Sequence, residues 1–76
     1  MKSLKDIKKG TACRISWIVG PYASFLRDYF SMNENGYIEV MQNYSGGLII
    51  YYQGKSLAMD YRLANGIKVT EQPVVK

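Results

Sequence analysis

Glycine stands at positions 10, 20, 36, 46, 47, 54 and 66 and cuts the chain into short segments. Segments of this length, separated by residues that turn without steric cost, suit a barrel of short strands and exclude a bundle of long helices. A chain of 76 residues allows one hydrophobic core and therefore one domain.

The segment 11–19 alternates, with Cys13, Ile15, Trp17 and Val19 on one face and Ala12, Arg14 and Ser16 on the other. Period two with one apolar face predicts a half-buried strand, with Cys13 inside it as a small hydrophobe. The period then changes. Tyr22, Phe25, Leu26, Tyr29 and Phe30 recur as one helical stripe behind Pro21, which predicts a short helix whose stripe is core and covers one barrel opening. Asn33-Glu34-Asn35-Gly36 stops the helix and turns the chain.

A second strand is predicted over 37–44 with Ile38 and Val40 inward, then a hairpin at Ser45-Gly46-Gly47. The third strand, 48–53, places Leu48, Ile50 and Tyr52 on one face. Its other face carries Ile49 and Tyr51. Either both faces are covered within the monomer, or Ile49 and Tyr51 form an exposed apolar strip. Residues 55–59 supply a fourth strand, Asp60 caps a single helical turn through Asn65, Gly66 ends it in the left-handed role, and Ile67-Lys68-Val69 closes the sheet. The sum is one all-β domain over 1–70: an SH3-like, partly open barrel of about five strands, with a short helix between strands one and two and one helical turn before the last strand. Residues 71–76, which include Pro73, are predicted to be a flexible tail.

Net charge is +4, with Lys2, Lys5, Lys8 and Lys9 opposed near the N-terminus only by Asp6. Such a basic arm suits nucleic acid, anionic lipid or an acidic protein, or is a solubilising edge. Histidine is absent, which removes the usual general base, pH switch and transition-metal ligand. The single cysteine excludes an internal disulfide framework. Asp6, Asp28, Glu34, Glu39, Asp60 and Glu71 show no paired spacing, so neither an intrinsic tight metal site nor a cofactor is expected. No nucleophile–base pair or phosphate-cradling loop can be named, and an enzyme is not expected. Arg14, Arg27 and Arg62 are candidates for a GTPase-activating arginine by residue type alone. No apolar region follows Met1 as in a signal peptide, and no stretch approaches the ~20 apolar residues that span a bilayer. A cytoplasmic location is expected.

Three blocks then fall in order along residues 3–69. Leu4-Lys5-Asp6-Ile7-Lys8-Lys9-Gly10 is similar to an "L-x-D-L-x-x-G" opening. The helix with Leu26, followed by a turn and Tyr37-Ile38-Glu39-Val40, is similar to "L-L-x-L-G-L-x-P-G-x-x-V-x-V". Gly54, Leu57-Ala58-Met59, Ala64, Ile67 and Val69 fit "G-x-x-L-A-L-x-x-x-x-A-x-x-I-x-V". Together these resemble the FeoA family, small cytoplasmic proteins of bacterial ferrous-iron uptake. The sequence departs from that pattern in carrying Ser31 in place of the helix-ending glycine, Glu34-Asn35 in place of Pro-Gly, and a shorter hairpin loop.

The resemblance implies a non-enzymatic adaptor acting with FeoB, a membrane ferrous-iron transporter with a cytoplasmic GTPase domain. Location is then at the inner face of the cytoplasmic membrane when bound. Ile49 and Tyr51, helped by Tyr37 and Met41, are the expected docking residues, with Lys5, Lys8 and Lys9 steering the encounter. The bland alternative is that these apolar residues cover one another or mediate weak self-association. Two other functions compete. The barrel also resembles the C-terminal domain of iron-dependent repressors of the diphtheria-toxin-repressor type, which points to a metal-responsive domain. A nucleic-acid-binding barrel is not expected, because the pattern assigns most of the seven tyrosines to the helix stripe or strand cores.

Overall fold

The structure, a computed structural model, describes residues 1–72. Six antiparallel strands form one sheet in these residues: β1 (Lys2–Ser3), β2 (Ala12–Ile18), β3 (Tyr37–Tyr44), β4 (Gly47–Tyr52), β5 (Lys55–Asp60) and β6 (Ile67–Gln72). Their order is β1-β6-β2-β3-β4-β5, so β1 and β5 are the edges and no strand pairing closes the barrel. A 3₁₀ turn (Leu4–Asp6) follows β1, a helix α1 (Ala23–Tyr29) joins β2 to β3, and a single turn α2 (Tyr61–Ala64) precedes β6. This is the small, partly open SH3-like fold that the pattern predicts, with one strand more. The sheet wraps a single core in which Leu4, Ile15, Leu26, Ile38, Ile50 and Ile67 are almost completely enclosed.

The additional strand is the start of the basic arm. Lys2 and Ser3 pair with Val69 and Lys68, and Lys2 Nζ lies 2.6 Å from the Glu71 carboxylate. Leu4 and Ile7 are buried behind them. Two enclosed aliphatic side chains contribute roughly 1.5–3 kcal/mol each, which holds the segment down against its chain entropy. The start of the arm, Lys2–Ser3, is therefore part of the sheet. Glu71 and Gln72, predicted as the start of a flexible tail, instead pair with Cys13 and Ala12 at the end of β6. The rest of the predicted tail, 73–76, lies outside the described residues.

Parity fails in β2. Ile15 pairs with Val69 but Trp17, two residues on, pairs with the adjacent Lys68, so Ser16 is the extra residue of a bulge. A bulge reverses the alternation beyond it. Ile18 consequently turns inward against Ile67, while Trp17 and Val19, expected inside, face out. A second correction concerns α1. Only Leu26 of its stripe is fully buried; Tyr22, Phe25 and Tyr29 are exposed and Phe30 is partly buried against the core. A seven-residue helix touching the sheet end at one point seats one side chain deeply, and the aromatic rings remain around the rim.

The last turn matches in part. Asp60 Oδ1 accepts the Leu63 N–H at 3.1 Å and caps α2 as predicted. Gly66, expected in the left-handed conformation, does not adopt it; a Cβ there would lie 2.3 Å from the Val19 carbonyl oxygen. Glycine is required at 66 for close approach, not for φ.

Candidate protein-docking face

The outer side of β3 and β4 builds the face. Ile38, Val40, Leu48, Ile50 and Tyr52 point into the core, which leaves Tyr37, Glu39, Ile49 and Tyr51 outward by the period of two. Glu39 pairs with Tyr51, and Tyr51 with Ser56 of β5. Ile49 is half-buried between Gln42 and Ala58. Tyr51 is 44% exposed and Tyr37 48% exposed, so the monomer does not cover these rings. Neither arrangement open from the sequence is met in full, since Tyr51 is uncovered while Ile49 is half-buried.

Met41 joins the strip through a second bulge. Register shifts between Val40 and Gln42, so Met41 is the inserted residue and its side chain is exposed. The same bulge turns Asn43 inward and leaves Tyr44 exposed at the hairpin end. Asn43 Nδ2 donates to the Lys5 and Ile7 carbonyls at 3.1 and 2.7 Å, which ties the 3₁₀ turn to β3.

The lysines meet this face at the Met41 bulge. Gly10 N–H donates to the Val40 carbonyl at 2.7 Å, and Val40 N–H donates to the Thr11 carbonyl at 3.0 Å. The exposed Lys8-Lys9 turn therefore runs beside Met41. Lys5 differs: its backbone carbonyl is engaged by Asn43 and its ammonium lies 4.0 Å from the Asp6 carboxylate. The fold thus brings Tyr37, Met41, Ile49, Tyr51, Lys8 and Lys9 together and leaves Lys5 at the margin. Arg14, opposite Tyr37, holds its guanidinium 5.7 Å from the ring centroid and donates to the Asn35 carbonyl at 2.9 Å. That cation covers one side of the Tyr37 ring.

A second group of exposed side chains escaped sequence reasoning: Trp17, Val19, Tyr22, Phe25 and Tyr29. Five of the seven tyrosines are exposed, which corrects the expectation that most are enclosed. One available signal was volume, because ten aromatic residues exceed what a core of this size can enclose. Between the helices, Tyr22, Phe25, Asp60, Arg62 and Leu63 line a shallow groove of about 280 Å³. The Asp60 carboxyl is held below its ordinary range, first by the Leu63 N–H and then by Arg62 at 3.0 Å. Glu34 is lowered likewise, first by its own backbone N–H and then by Arg27 at 3.0 Å. Burial pushes the Cys13 thiol up to about 12, so it stays protonated and unreactive at neutral pH.

Among the described residues there is no group of three or more His, Cys, Asp or Glu side chains placed to hold a metal ion. No helix in these residues is long and apolar enough to cross a membrane.

The fold defines a small all-β SH3-like domain. Its fold is that of FeoA and FeoA-like proteins. The chain is similar to the crystal structure of an iron uptake regulatory protein, FeoA, with a TM-score of 0.82 at 21% identity over 92% of this chain and 96% of that one. It is similar to the NMR structure of a FeoA-like protein from Clostridium acetobutylicum, with a TM-score of 0.87 at 14% identity over 99% of this chain and 91% of that one. A manganese-dependent transcriptional repressor contains the same fold, with a TM-score of 0.79 at 15% identity, and there 93% of this chain spans 41% of the repressor. No protein-family profile and no curated protein matches the sequence.

Proposed function

We propose that this chain is a FeoA-type accessory protein of ferrous-iron uptake, which acts without catalysis by docking on a FeoB-type transporter or its cytoplasmic GTPase domain. The observation that carries this reading is the strip of exposed Tyr37, Met41 and Tyr51 around half-buried Ile49, on a FeoA-like fold that extends over nearly the whole chain. Apolar and aromatic side chains left outward on a sheet supply the core of a protein interface, since their burial is the main driving force of association. Lys8 and Lys9 beside Met41 supply a positive rim that speeds encounter with an acidic surface. The protein then works at the inner face of the cytoplasmic membrane through its partner.

The test is a titration of the purified chain against the soluble GTPase domain of the FeoB from the same source, followed by heteronuclear NMR at two salt concentrations. Shifts confined to β3, β4 and the Lys8-Lys9 turn, weakened by salt and lost in Tyr51→Ser, are the expected result. No shifts at millimolar excess would remove docking on that domain. The repressor likeness supports a broader second reading, a metal-responsive regulatory domain. Ferrous ion binding by the chain alone, followed by calorimetry, separates the two.

A further inference from the structure

β5 forms one edge of the sheet, and no strand of the described residues pairs with its outer side. The hairpin at its start fixes which main-chain groups face that side. Gln53 and Gly54 adopt φ of +53° and +78°, the two-residue turn in which the flanking pair, Tyr52 and Lys55, exchanges hydrogen bonds. At the other end of the strand the Tyr61 N–H donates to the Gly46 carbonyl at 3.0 Å, which gives the same phase. Lys55, Leu57 and Met59 therefore bond to β4. The N–H and carbonyl groups of Ser56 and Ala58 point away from it, and no other backbone group within the described residues reaches them.

Sheet edges are ordinarily blunted by a bulge, a proline, a central charge or brevity. β1, at the opposite edge, is two residues long. β5 has none of these devices: its six residues keep unbroken register with β4, and only Ser56, Leu57, Ala58 and Met59 stand between Lys55 and Asp60. Ser56 and Ala58 carry small, exposed side chains that leave the edge open to another backbone.

We propose that β5 pairs with β5 of a second copy of this chain, antiparallel about a two-fold axis, so that one sheet runs through both molecules. Free N–H and carbonyl groups at a two-residue repeat take an extended backbone. The strand is its own complement. With Ser56 opposite the partner's Ala58, every free group of these two residues is bonded. The axis then passes between the two copies of Leu57, whose half-buried side chains cover each other. A register one residue off would set Leu57 of the core side against Ala58 of the outer side. Charge agrees with the direction. Antiparallel pairing brings Lys55, which has no ion-pair partner among the described residues, to one position from the partner's Asp60. Parallel pairing would set lysine on lysine. Asp60 already holds Arg62 at 3.0 Å, so affinity comes from the backbone and Leu57 rather than from an ion pair. Within one copy Ile49 lies beside Ala58 and Tyr51 beside Ser56. Across the axis the outward row therefore runs Ile49, Ala58, the partner's Ser56 and the partner's Tyr51, and the two docking strips become one face.

The dimer stands apart from the transporter reading, and its test needs only the full chain. Sedimentation velocity from micromolar to millimolar concentration is expected to show monomer in equilibrium with dimer. Over that range the Ser56 and Ala58 amides are expected to shift and to gain protection from hydrogen exchange. In a mixture of isotope-labelled and unlabelled chains, an intermolecular contact between Leu57 α-hydrogens is expected, because a non-hydrogen-bonded antiparallel pair brings them together. Ala58→Pro removes an N–H that bonds nothing within the monomer and is used twice in the dimer, so dimerisation weakens about tenfold or more. Ala58→Lys keeps the backbone, blunts the edge with charge and weakens the dimer likewise. Tyr51→Ser and Tyr29→Ser leave it intact, and circular dichroism establishes that each variant is folded. A chain that stays monomeric at millimolar concentration would overturn the proposal. So would a dimer undiminished in a folded Ala58→Pro or Ala58→Lys variant. Loss of the dimer in Tyr51→Ser or Tyr29→Ser, with Ala58→Lys unaffected, would overturn it in favour of the outer strip or the α1 rings.

Discussion

Tyr61 of α2 and Asn43 of β3 share a hydrogen bond between the phenol hydroxyl and the carboxamide oxygen, and the same hydroxyl sits against the Tyr44 carbonyl. The carboxamide nitrogen of Asn43 is spent on Lys5 and Ile7. One side chain thus joins three segments far apart in sequence: the 3₁₀ turn, the β3 hairpin and the turn before β6. In a sheet that does not close through its strands, this polar tie fastens the open end.

Removing Asn43 takes the side-chain donor from two carbonyls, those of Lys5 and Ile7, and leaves the Tyr61 hydroxyl with the Tyr44 carbonyl alone. Asn43→Ala is expected to cost about 2–3 kcal/mol, since an orphaned, partly buried polar group costs more than the bond itself gained. Tyr61→Phe deletes only the hydroxyl and is expected to cost about 1 kcal/mol. Urea unfolding of the two variants checks the ranking; equal and negligible losses would show that the tie does not hold the end.

Gly66 is set by distance. A methyl group there meets the Val19 carbonyl at 2.3 Å, where the Val19 N–H also donates to the Gly66 carbonyl at 2.8 Å. Gly66→Ala must separate β2 from the α2–β6 junction and is expected to cost about 3 kcal/mol. Gly54→Ala, with positive φ but open space around it, is expected to cost about 1 kcal/mol. Thermal melts of the pair distinguish a steric need for glycine from a conformational one.

Ser31 runs the opposite way. It adopts φ of +54° at the end of α1, where Met32 N–H returns to the Leu26 carbonyl. The carbonyl of Ser31 accepts from Tyr52 and from Asn33, and its side chain is exposed. Ser31→Gly keeps these backbone contacts and removes the left-handed penalty of an L residue, so it is expected to stabilise by about 0.5–1 kcal/mol. A lower melting temperature for Ser31→Gly would show that the unfolded chain's gain in freedom outweighs that relief.

Much of the fold was legible because the core strands obey a simple period. Ile38 and Val40, then Leu48, Ile50 and Tyr52, alternate without interruption on either side of a Ser-Gly-Gly turn, and the structure buries each of them. That Ile49 and Tyr51 share the other face of β4 was legible for the same reason. Trp17 and Val19 were not, because a single inserted residue, Ser16, reverses every side chain after it and no distinctive residue type marks it. β1 was missed because a two-residue strand has no period; burial of Leu4 and Ile7 carries it. The aromatic stripe of α1 had the helical period of a core face, but seven residues with one deep contact bury Leu26 and leave the rings outside. Gly66 carried the signature of a helix cap while its contact is with a strand distant in sequence, which only the folded chain shows.

Cys13 provides the last prediction, in pH. It is fully enclosed in β2, and its thiol is raised from an ordinary value of 9.0 to about 12, first by burial and then by the charge of its cross-strand partner Glu71. The unfolded chain releases this proton near pH 9 while the folded chain keeps it to about 12. Over that interval the unfolded state binds fewer protons, so stability falls as pH rises, with a slope of about 1.4 kcal/mol per pH unit from this group. Below pH 9 both states are protonated and the contribution is constant. Cys13→Ala shares every other titration with the parent chain and lacks this one. Urea unfolding of both proteins at successive pH values should therefore show the parent's advantage constant to about pH 9 and shrinking above it. A gap that stays constant to pH 11 would mean that water reaches the thiolate and that β2 is not sealed at Cys13. Slow modification by a thiol reagent at pH 8, made rapid by denaturant, is the matching expectation for a sealed site.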